Sequence, residues 1–160
     1  MDDAVITKNE KWLHAMSASL EELATGMLGF DGSSITGMED GLPDKINGAH
    51  VAMISLHESL NVGLFADNKD CVSLAKAMLC MEEDDEISEE DVRDSMGEIV
   101  NIIAGGVKRR MIEDIPTIKI GLPVFFAGYM TPGKNVDSSV IDVMIGPIEA
   151  RLFLIIDTST

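Results

Sequence analysis

Hydrophobic residues recur at three- and four-residue steps in three parts of the chain, and this spacing predicts three amphipathic helices. The first is expected from about Asn9 to Met27, the second over residues 68–81, and the third from Ser88 to a point between Lys108 and Met111. Ser88 is a typical N-cap residue with an acidic residue three positions on, which favours a capping box at the start of the third helix. Helices therefore account for the first and middle parts of the chain.

Shorter stretches that alternate, or that are rich in β-branched and aromatic residues, predict strands. Two are expected near Ala49–Leu56 and Leu60–Phe65, joined by a turn around Glu58 and Ser59. The C-terminal part predicts three more: "TIKIGLPVFFAGYM", interrupted by Pro123, then "VIDVMI" and "EARLFLIIDT", which form a hairpin at "GP". The segment "GFDGSSITGMEDGLPDK" is rich in Gly, Ser and Asp and is predicted to be a loop.

The resulting order is α-β-β-α-α-β-β-β. Hairpins rather than βαβ crossovers favour an α+β fold, with a mostly antiparallel sheet and helices packed on one face. A length of 160 residues suits a single domain over residues 1–160. The strands "VIDVMI" and "RLFLIID" would leave hydrophobic sheet edges, which proteins seldom expose, so we expect a homodimer formed by pairing of edge strands.

The net charge of −16 argues against nucleic acid and anionic membranes as partners, because both attract clustered Lys and Arg. No apolar run approaches the roughly 18 residues that span a membrane. The acidic N-terminus lacks the basic and apolar regions of a signal peptide, so a cytoplasmic location is expected. The run "EEDDE" fits a solvated surface or, alternatively, an electrostatic guide for a basic partner.

The two cysteines, Cys71 and Cys80, lie nine residues apart on the second predicted helix. A rise of about 1.5 Å per residue separates them by roughly 13 Å, too far for a disulfide. Both are expected to be reduced. His14, His50 and His57 do not recur with carboxylates at metal-ligand spacing, so no metal site is predicted.

The third helix contains an Asn and three glycines, although both residue types lower helix stability by roughly 0.5 to 1 kcal/mol relative to Ala. At about 100° per residue, Asp94, Glu98 and Asn101 lie together at the centre of the polar face, opposite the apolar stripe. Gly97 and Gly105 flank them, which predicts a bare helix surface that another macromolecule can approach. Gly106 points toward the core boundary, where it would allow tight packing on the sheet.

The pair Glu98 and Asn101 has a chemical interpretation. An Asn amide donates and accepts hydrogen bonds at once, which suits it to holding a water molecule, and a carboxylate can pair with a cation. Phosphoryl transfer needs mainly positioning and charge stabilisation from a protein, so this pair suits phosphate hydrolysis. An E-x-x-N pair also occurs by chance, and a solvated helix face remains the alternative at this point.

These residues resemble the CheC/CheX/FliY family of chemotaxis phosphatases, and CheX-like members in particular. The family pattern is Asp or Ser, three residues, Glu, two residues, Asn, and then some twenty residues to a Pro; Asp94, Glu98, Asn101 and Pro123 match it. "GEIVNIIAGG" is similar to the family's central helix. CheC-like members carry two copies of the motif, but the first helix here has Glu21 and Glu22 without an Asn at the matching spacing.

The resemblance implies a phosphatase, a hydrolase whose substrate is a CheY-like response regulator carrying an aspartyl phosphate and bound Mg²⁺. It implies that Asn101 orients the attacking water, that Glu98 bridges to the regulator's lysine, and that Asp94, Gly97 and Gly105 contact the substrate protein. It implies no cofactor of the chain's own, and a homodimer. The alternative is a non-catalytic module that binds a response regulator or a motor-switch component through the same helix.

Overall fold

The computed structural model of the chain describes residues 8–131 and 133–158, and three helices and seven strands lie within them. The helices are α1 (Lys8–Gly26), α2 (Asn68–Met78) and α3 (Glu89–Met111). The strands are β1 (Ser33–Asp40), β2 (Lys45–Ile54), β3 (Ser59–Phe65), β4 (Lys119–Ile120), β5 (Val124–Tyr129), β6 (Val136–Ile145) and β7 (Ile148–Asp157). The N-terminal heptapeptide, on which most of the signal-peptide prediction depends, lies outside the described residues.

The strands form one antiparallel sheet in the order β1-β6-β7-β3-β2-β4, and β5 also pairs with β2. The helix α3 packs on β2 to β5, α1 packs beside α3, and α2 contacts both α3 and β7. One main core joins the three helices to the sheet, around large side chains that are almost fully buried: Trp12, Met16, Met53, Leu64, Met96 and Ile103. The predicted α+β class, with an antiparallel sheet and helices on one face, is confirmed.

The predicted order of elements is also confirmed, with two additions. The stretch predicted as a loop contains β1, an eight-residue strand that pairs with β6. The single strand predicted around Pro123 is divided into β4 and β5, because proline lacks the N–H that a continuous ladder requires. The hairpin β6–β7 turns at Gly146 and Pro147, where Gly146 has a φ of 56°, a conformation that favours glycine.

The strand β1 changes the basis on which a dimer was expected. Because β1 covers one side of β6, and β7 lies between β6 and β3, neither "VIDVMI" nor "RLFLIID" is at an edge. The expectation that these two strands form the edges is wrong. Among the described residues, the edges are β1 on one side and β4 with β5 on the other. The edge strand β1 carries Ile35 and Met38, which are 54% and 59% exposed.

Candidate functional site

The helix α3 has the ends that its sequence predicts. The Ser88 hydroxyl accepts a hydrogen bond from the Asp91 backbone N–H at 3.1 Å, which satisfies one of the free donors of the first turn. Acidic residues fill the first turn, and three cations, Lys108, Arg109 and Arg110, fill the last. Both sets complement the helix dipole and stabilise the 23-residue helix.

The two faces of α3 are also as predicted. The side chains of Met96, Ile99 and Ile103 are almost fully buried against the sheet and the other helices. Asp94 and Glu98 are exposed, and Asn101 is half-buried. The helix therefore holds a carboxylate and an amide on its outer face, one turn apart, on a backbone fixed by the core beneath it.

Neither Glu98 nor Asn101 has a side-chain hydrogen bond or an ion pair with any part of the chain that the structure describes; the same is true of Asp94. Near the end of α3, by contrast, Arg109 and Arg110 both form ion pairs with Glu22 of α1, at 3.0 and 2.7 Å. The polar groups at the centre of the outer face are thus left for solvent or for another molecule.

The three glycines of α3 have three different surroundings. A Cβ at Gly105 would meet no atom within 4 Å, so this side of the helix is bare, as predicted. Gly97 is buried, and a Cβ there would lie 3.6 Å from the ring carbons of Pro123, so the expectation of a bare surface at Gly97 is wrong. A Cβ at Gly106 would come within 2.5 Å of the Ser19 hydroxyl oxygen of α1. The expectation that Gly106 packs on the sheet is wrong, because it packs on a helix.

Pro123 is brought to the helix by the strand that follows it. In β5, Phe125 lies under the guanidinium of Arg93, with 5.9 Å between the Arg93 Cζ and the ring centroid, while Pro123 lies next to Gly97. The ring of Pro123 therefore lies over the residue directly before Glu98. The fold thus places Pro123, the fourth position of the sequence motif, beside the helix that carries the other three.

No group of three or more His, Cys, Asp or Glu side chains within residues 8–131 and 133–158 is arranged to hold a metal ion. The imidazole Nδ1 of His50 is 3.2 Å from the Asn61 side-chain oxygen, on the sheet face away from the helices. A groove of about 820 Å³ lies between the start of β2 and the N-terminus of α2, and none of the motif residues lines it. The described helices include none that is long and apolar enough to cross a bilayer.

The family model of the chemotaxis phosphatase CheX matches residues 50–143, more than half of the chain, and this range contains all four motif positions. The chain belongs to the CheX family. The resemblance predicted from the helix motif is therefore confirmed. No curated protein matches the chain.

Solved structures of this family share the fold. A CheC-like superfamily protein from Shewanella sp. PV-4 aligns with a TM-score of 0.76 at 14% identity, over 92% of this chain and 97% of that chain. The chemotaxis protein CheX of Vibrio vulnificus gives 0.74 at 17% identity, over 92% and 99%. The CheX–CheY–BeF₃–Mg²⁺ complex from Borrelia burgdorferi gives 0.64 at 20% identity, over 95% and 99%.

Proposed function

We propose that this protein accelerates hydrolysis of the aspartyl phosphate of a CheY-like response regulator, with a water oriented by Asn101 as the nucleophile. The observation that carries the proposal is the placement of Glu98 and Asn101. Both lie on the outer face of a well-anchored helix, without side-chain partners in the described chain, in a protein of the CheX phosphatase family.

The proposed step needs little covalent chemistry from the chain. The water oxygen forms a bond to phosphorus, the bond from phosphorus to the aspartyl oxygen breaks, and the products are inorganic phosphate and a free carboxylate. The side-chain oxygen of Asn101 can accept a hydrogen bond from this water and so fix the position of the water oxygen. Its contribution is to hold the water in line with the bond that breaks. Positioning the water in this way lowers the entropic cost of bringing it to the phosphorus atom.

Glu98 is proposed to pair with the active-site lysine of the regulator. Residues three apart on a helix have their Cβ atoms about 5 to 6 Å apart, so Glu98 and Asn101 can reach one partner site together. Fixing that lysine relative to Asn101 aligns the phosphoryl group with the water. Asp94 and Gly105 are proposed to form the surrounding contact surface, with Gly105 providing the close backbone approach. Gly97, which is buried, is proposed to serve substrate binding indirectly by seating Pro123.

The metal of this reaction is proposed to belong to the regulator. The Borrelia burgdorferi complex contains BeF₃ and Mg²⁺ together with CheX and CheY. On that analogy Mg²⁺ is bound by the regulator and neutralises phosphoryl oxygens, while this chain supplies the water-positioning amide and needs no cofactor of its own.

We also propose that the chain is a single CheX-like domain, that it works in the cytoplasm where two free cysteines stay reduced, and that it forms a homodimer. The dimer proposal now rests on β1, whose unpaired edge carries two exposed apolar residues. Sedimentation at micromolar concentration tests it, and a monomer throughout would contradict it.

The alternative function is a non-catalytic module that binds a regulator or a motor-switch component through α3. The decisive experiment follows the decay of a ³²P-labelled CheY-like regulator in Mg²⁺ with and without this protein. Faster decay supports the phosphatase. Saturable binding of the beryllofluoride-activated regulator, with decay unchanged at saturation, would favour the module.

A further inference from the structure

Leu122 is 87% exposed, the largest exposed fraction among the exposed large hydrophobic residues of the described chain. Single exposed apolar side chains are common on protein surfaces and need no explanation by themselves. Leu122 differs from a scattered surface residue because it directly precedes Pro123, which contacts Gly97 beside Glu98. The backbone on either side of Leu122 determines how it lies relative to the proposed site.

The backbone around Leu122 contains a β-bulge. Ile120 of β4 pairs with Met53, and Val124 of β5 pairs with His50, both on the same strand β2. Three residues, 121–123, thus lie opposite only two on β2, residues 51–52. Such an extra residue disrupts the ladder and redirects a side chain, and bulges are frequent next to active sites.

The bulge is held at both ends. The Gly121 N–H donates a hydrogen bond to the Ala52 carbonyl at 2.8 Å, and the ring of Pro123 packs on Gly97. A residue before proline is restricted to extended conformations, which limits Leu122 further. An apolar side chain on a backbone fixed in this way loses little conformational entropy when a partner covers it.

The bulge lies at the level of the motif. Pro123 lies next to Gly97, and Phe125 lies next to Arg93, so β5 and α3 run antiparallel. The distance from Pro123 to Phe125 along the strand is about 6.7 Å, close to the roughly 6 Å that separate Gly97 and Arg93 along the helix. Continued backwards, this places Leu122 between the turn of Gly97 and the turn of Asn101. A protein interface of ordinary size buries about 800 Å² on each partner, and one centred on Asn101 would cover Leu122.

We propose that Leu122 is an apolar anchor for the phosphorylated response regulator, inserting into an apolar patch of the regulator that adjoins its phosphorylated aspartate. The inference rests on the proposed function for the identity of the partner, and the contact of Pro123 with Gly97 makes Leu122 continuous with that site. Interface energy concentrates in a few anchors near the centre of the contact, surrounded by weaker polar contacts. Leu122 supplies affinity, and Glu98 and Asn101 supply charge pairing and chemistry.

The chain offers a matched control. Leu56 is 83% exposed in the β2–β3 turn, two residues past Ile54 at the end of β2. Val51, which faces the bulge, and Ile54 are about 10 Å apart along the strand, and Leu56 lies beyond Ile54, so it is near the margin of an interface centred on the motif or outside it. Both residues are leucine, both are highly exposed, and truncation of either leaves the core intact.

The test compares Leu122→Ala, Leu122→Met and Leu56→Ala with the wild-type chain. The probes are single-domain CheY-like regulators of the source organism, activated with beryllofluoride and Mg²⁺. The readouts are the Kd for the regulator and the dephosphorylation rate at saturating regulator. Leu122→Ala should raise Kd on the order of 10- to 30-fold, Leu122→Met by less than about threefold, and Leu56→Ala by less than about twofold. The saturating rate should stay within about twofold for all three.

A Kd for Leu122→Ala within twofold of wild type would overturn the anchor, as would an equal loss for Leu56→Ala. Asn101→Ala is expected to show the opposite pattern, a lost rate with retained affinity. If the wild-type protein binds an activated regulator without speeding its decay, the proposed catalysis fails while the Kd comparison still decides the anchor. If wild type binds none of these regulators, both proposals fall.

Discussion

Gly106 of α3 lies directly against Ser19 of α1, so closely that a Cβ at position 106 would be 2.5 Å from the Ser19 hydroxyl oxygen and 2.8 Å from its Cβ. That hydroxyl donates to the Ala15 carbonyl at 2.6 Å and accepts from Arg110 at 3.2 Å. Ser19 is therefore held by its own bonds and cannot turn away without losing them. The crossing of the two helices depends on the missing side chain at 106.

Alanine at the two neighbouring glycines should have opposite effects on the free energy of unfolding. Gly105→Ala adds a methyl group to open space and should stabilise the protein by roughly 0.5 to 1 kcal/mol, because alanine favours the helix. Gly106→Ala gains the same preference but must displace Ser19, and overpacking of this kind costs about 1 to 3 kcal/mol. Urea unfolding of both variants measures the difference, and equal shifts would contradict it. If Gly105 provides close approach, Gly105→Ala should also weaken regulator binding.

The two thiols should differ sharply in reactivity. Cys71 is buried, and burial raises the pKa of its thiol to about 11, whereas Cys80 is exposed. The thiolate is the reactive form, so native protein at neutral pH should take up one equivalent of iodoacetamide quickly and the second only on unfolding. Intact mass against time provides the measurement. Cys80→Ser should abolish the fast uptake and Cys71→Ser should keep it; fast labelling in Cys80→Ser would show that Cys71 is accessible.

The ion pairs of Glu22 with Arg109 and Arg110 predict that the stability of the fold depends on pH. Hydrogen bonding from Arg110 and the charge of Arg109 lower the pKa of the Glu22 carboxyl from its ordinary value of 4.5. Because the folded-state pKa is lowered, the pair stabilises the fold above about pH 4.5, and this contribution is lost as the pH falls through the lower folded value. Glu22→Gln should therefore reduce the melting temperature at neutral pH, and its deficit should shrink in acid.

An exposed carboxylate on the same side of the sheet provides the comparison for Glu22. Glu113 lies just past the end of α3, and the structure shows no ion pair for it among the described residues. Glu113→Gln should leave the melting temperature within about a degree at every pH, since isolated surface charges contribute little. A deficit of Glu22→Gln that stays constant from neutral to acid pH would mean that its ion pairs do not stabilise the fold.

The helix α3 could be predicted from sequence because every local signal agrees. Its N-cap at Ser88, its acidic start, its apolar stripe and its basic end all indicate one helix, so the outer position of Glu98 and Asn101 follows from periodicity alone. A segment can be predicted from sequence when its local preferences agree with the global fold in this way. The strand β1 lacked that agreement, because an edge strand with Ile35 and Met38 both exposed shows little of the alternation that marks a strand.

Contacts between distant parts of the chain could not be derived in the same way. The sequence motif includes Pro123, but only the fold shows that its ring covers Gly97, and a helical wheel treats Gly97 and Gly105 as equivalent flanks. Likewise, the wheel directs Gly106 toward the core without saying whether a strand or α1 lies there. Each of these points depends on which element packs on α3. Hydrophobic periodicity identifies the buried face of a helix but not the element that packs on it.

Glu98 should contribute to binding as well as to rate. If it pairs with the regulator's lysine, Glu98→Ala removes one side of a charge pair and should raise the Kd for the activated regulator and lower the saturating rate. Glu98→Lys should be worse than alanine, because it places two cations together. The corresponding change at an exposed carboxylate two turns away, Glu90→Lys, should weaken binding less. Titration and turnover of the three variants separate these effects, and unchanged binding in Glu98→Lys would place the lysine elsewhere.

Asn101→Ala should remove the chemistry and leave binding nearly intact. The amide is proposed to hold only the attacking water, so its loss acts at the transition state and not on the bound regulator. Removal of one positioned polar group of this kind costs on the order of 10²-fold in rate, roughly 3 kcal/mol. The measurement is the dephosphorylation rate at saturating regulator, together with the Kd for the beryllofluoride-activated form.

A variant on the buried face of the same helix separates a lost amide from a damaged helix. Met96 is fully buried, and Met96→Ala should cost about 2 to 5 kcal/mol of stability while the folded fraction keeps its rate. Asn101→Ala, at a half-buried position without side-chain bonds in the described chain, should melt close to wild type. If Asn101→Ala stays folded, binds the regulator and turns over at the wild-type rate, Asn101 does not hold the water. The outer face of α3 would then be a docking surface, and the non-catalytic function would become the better account of this protein.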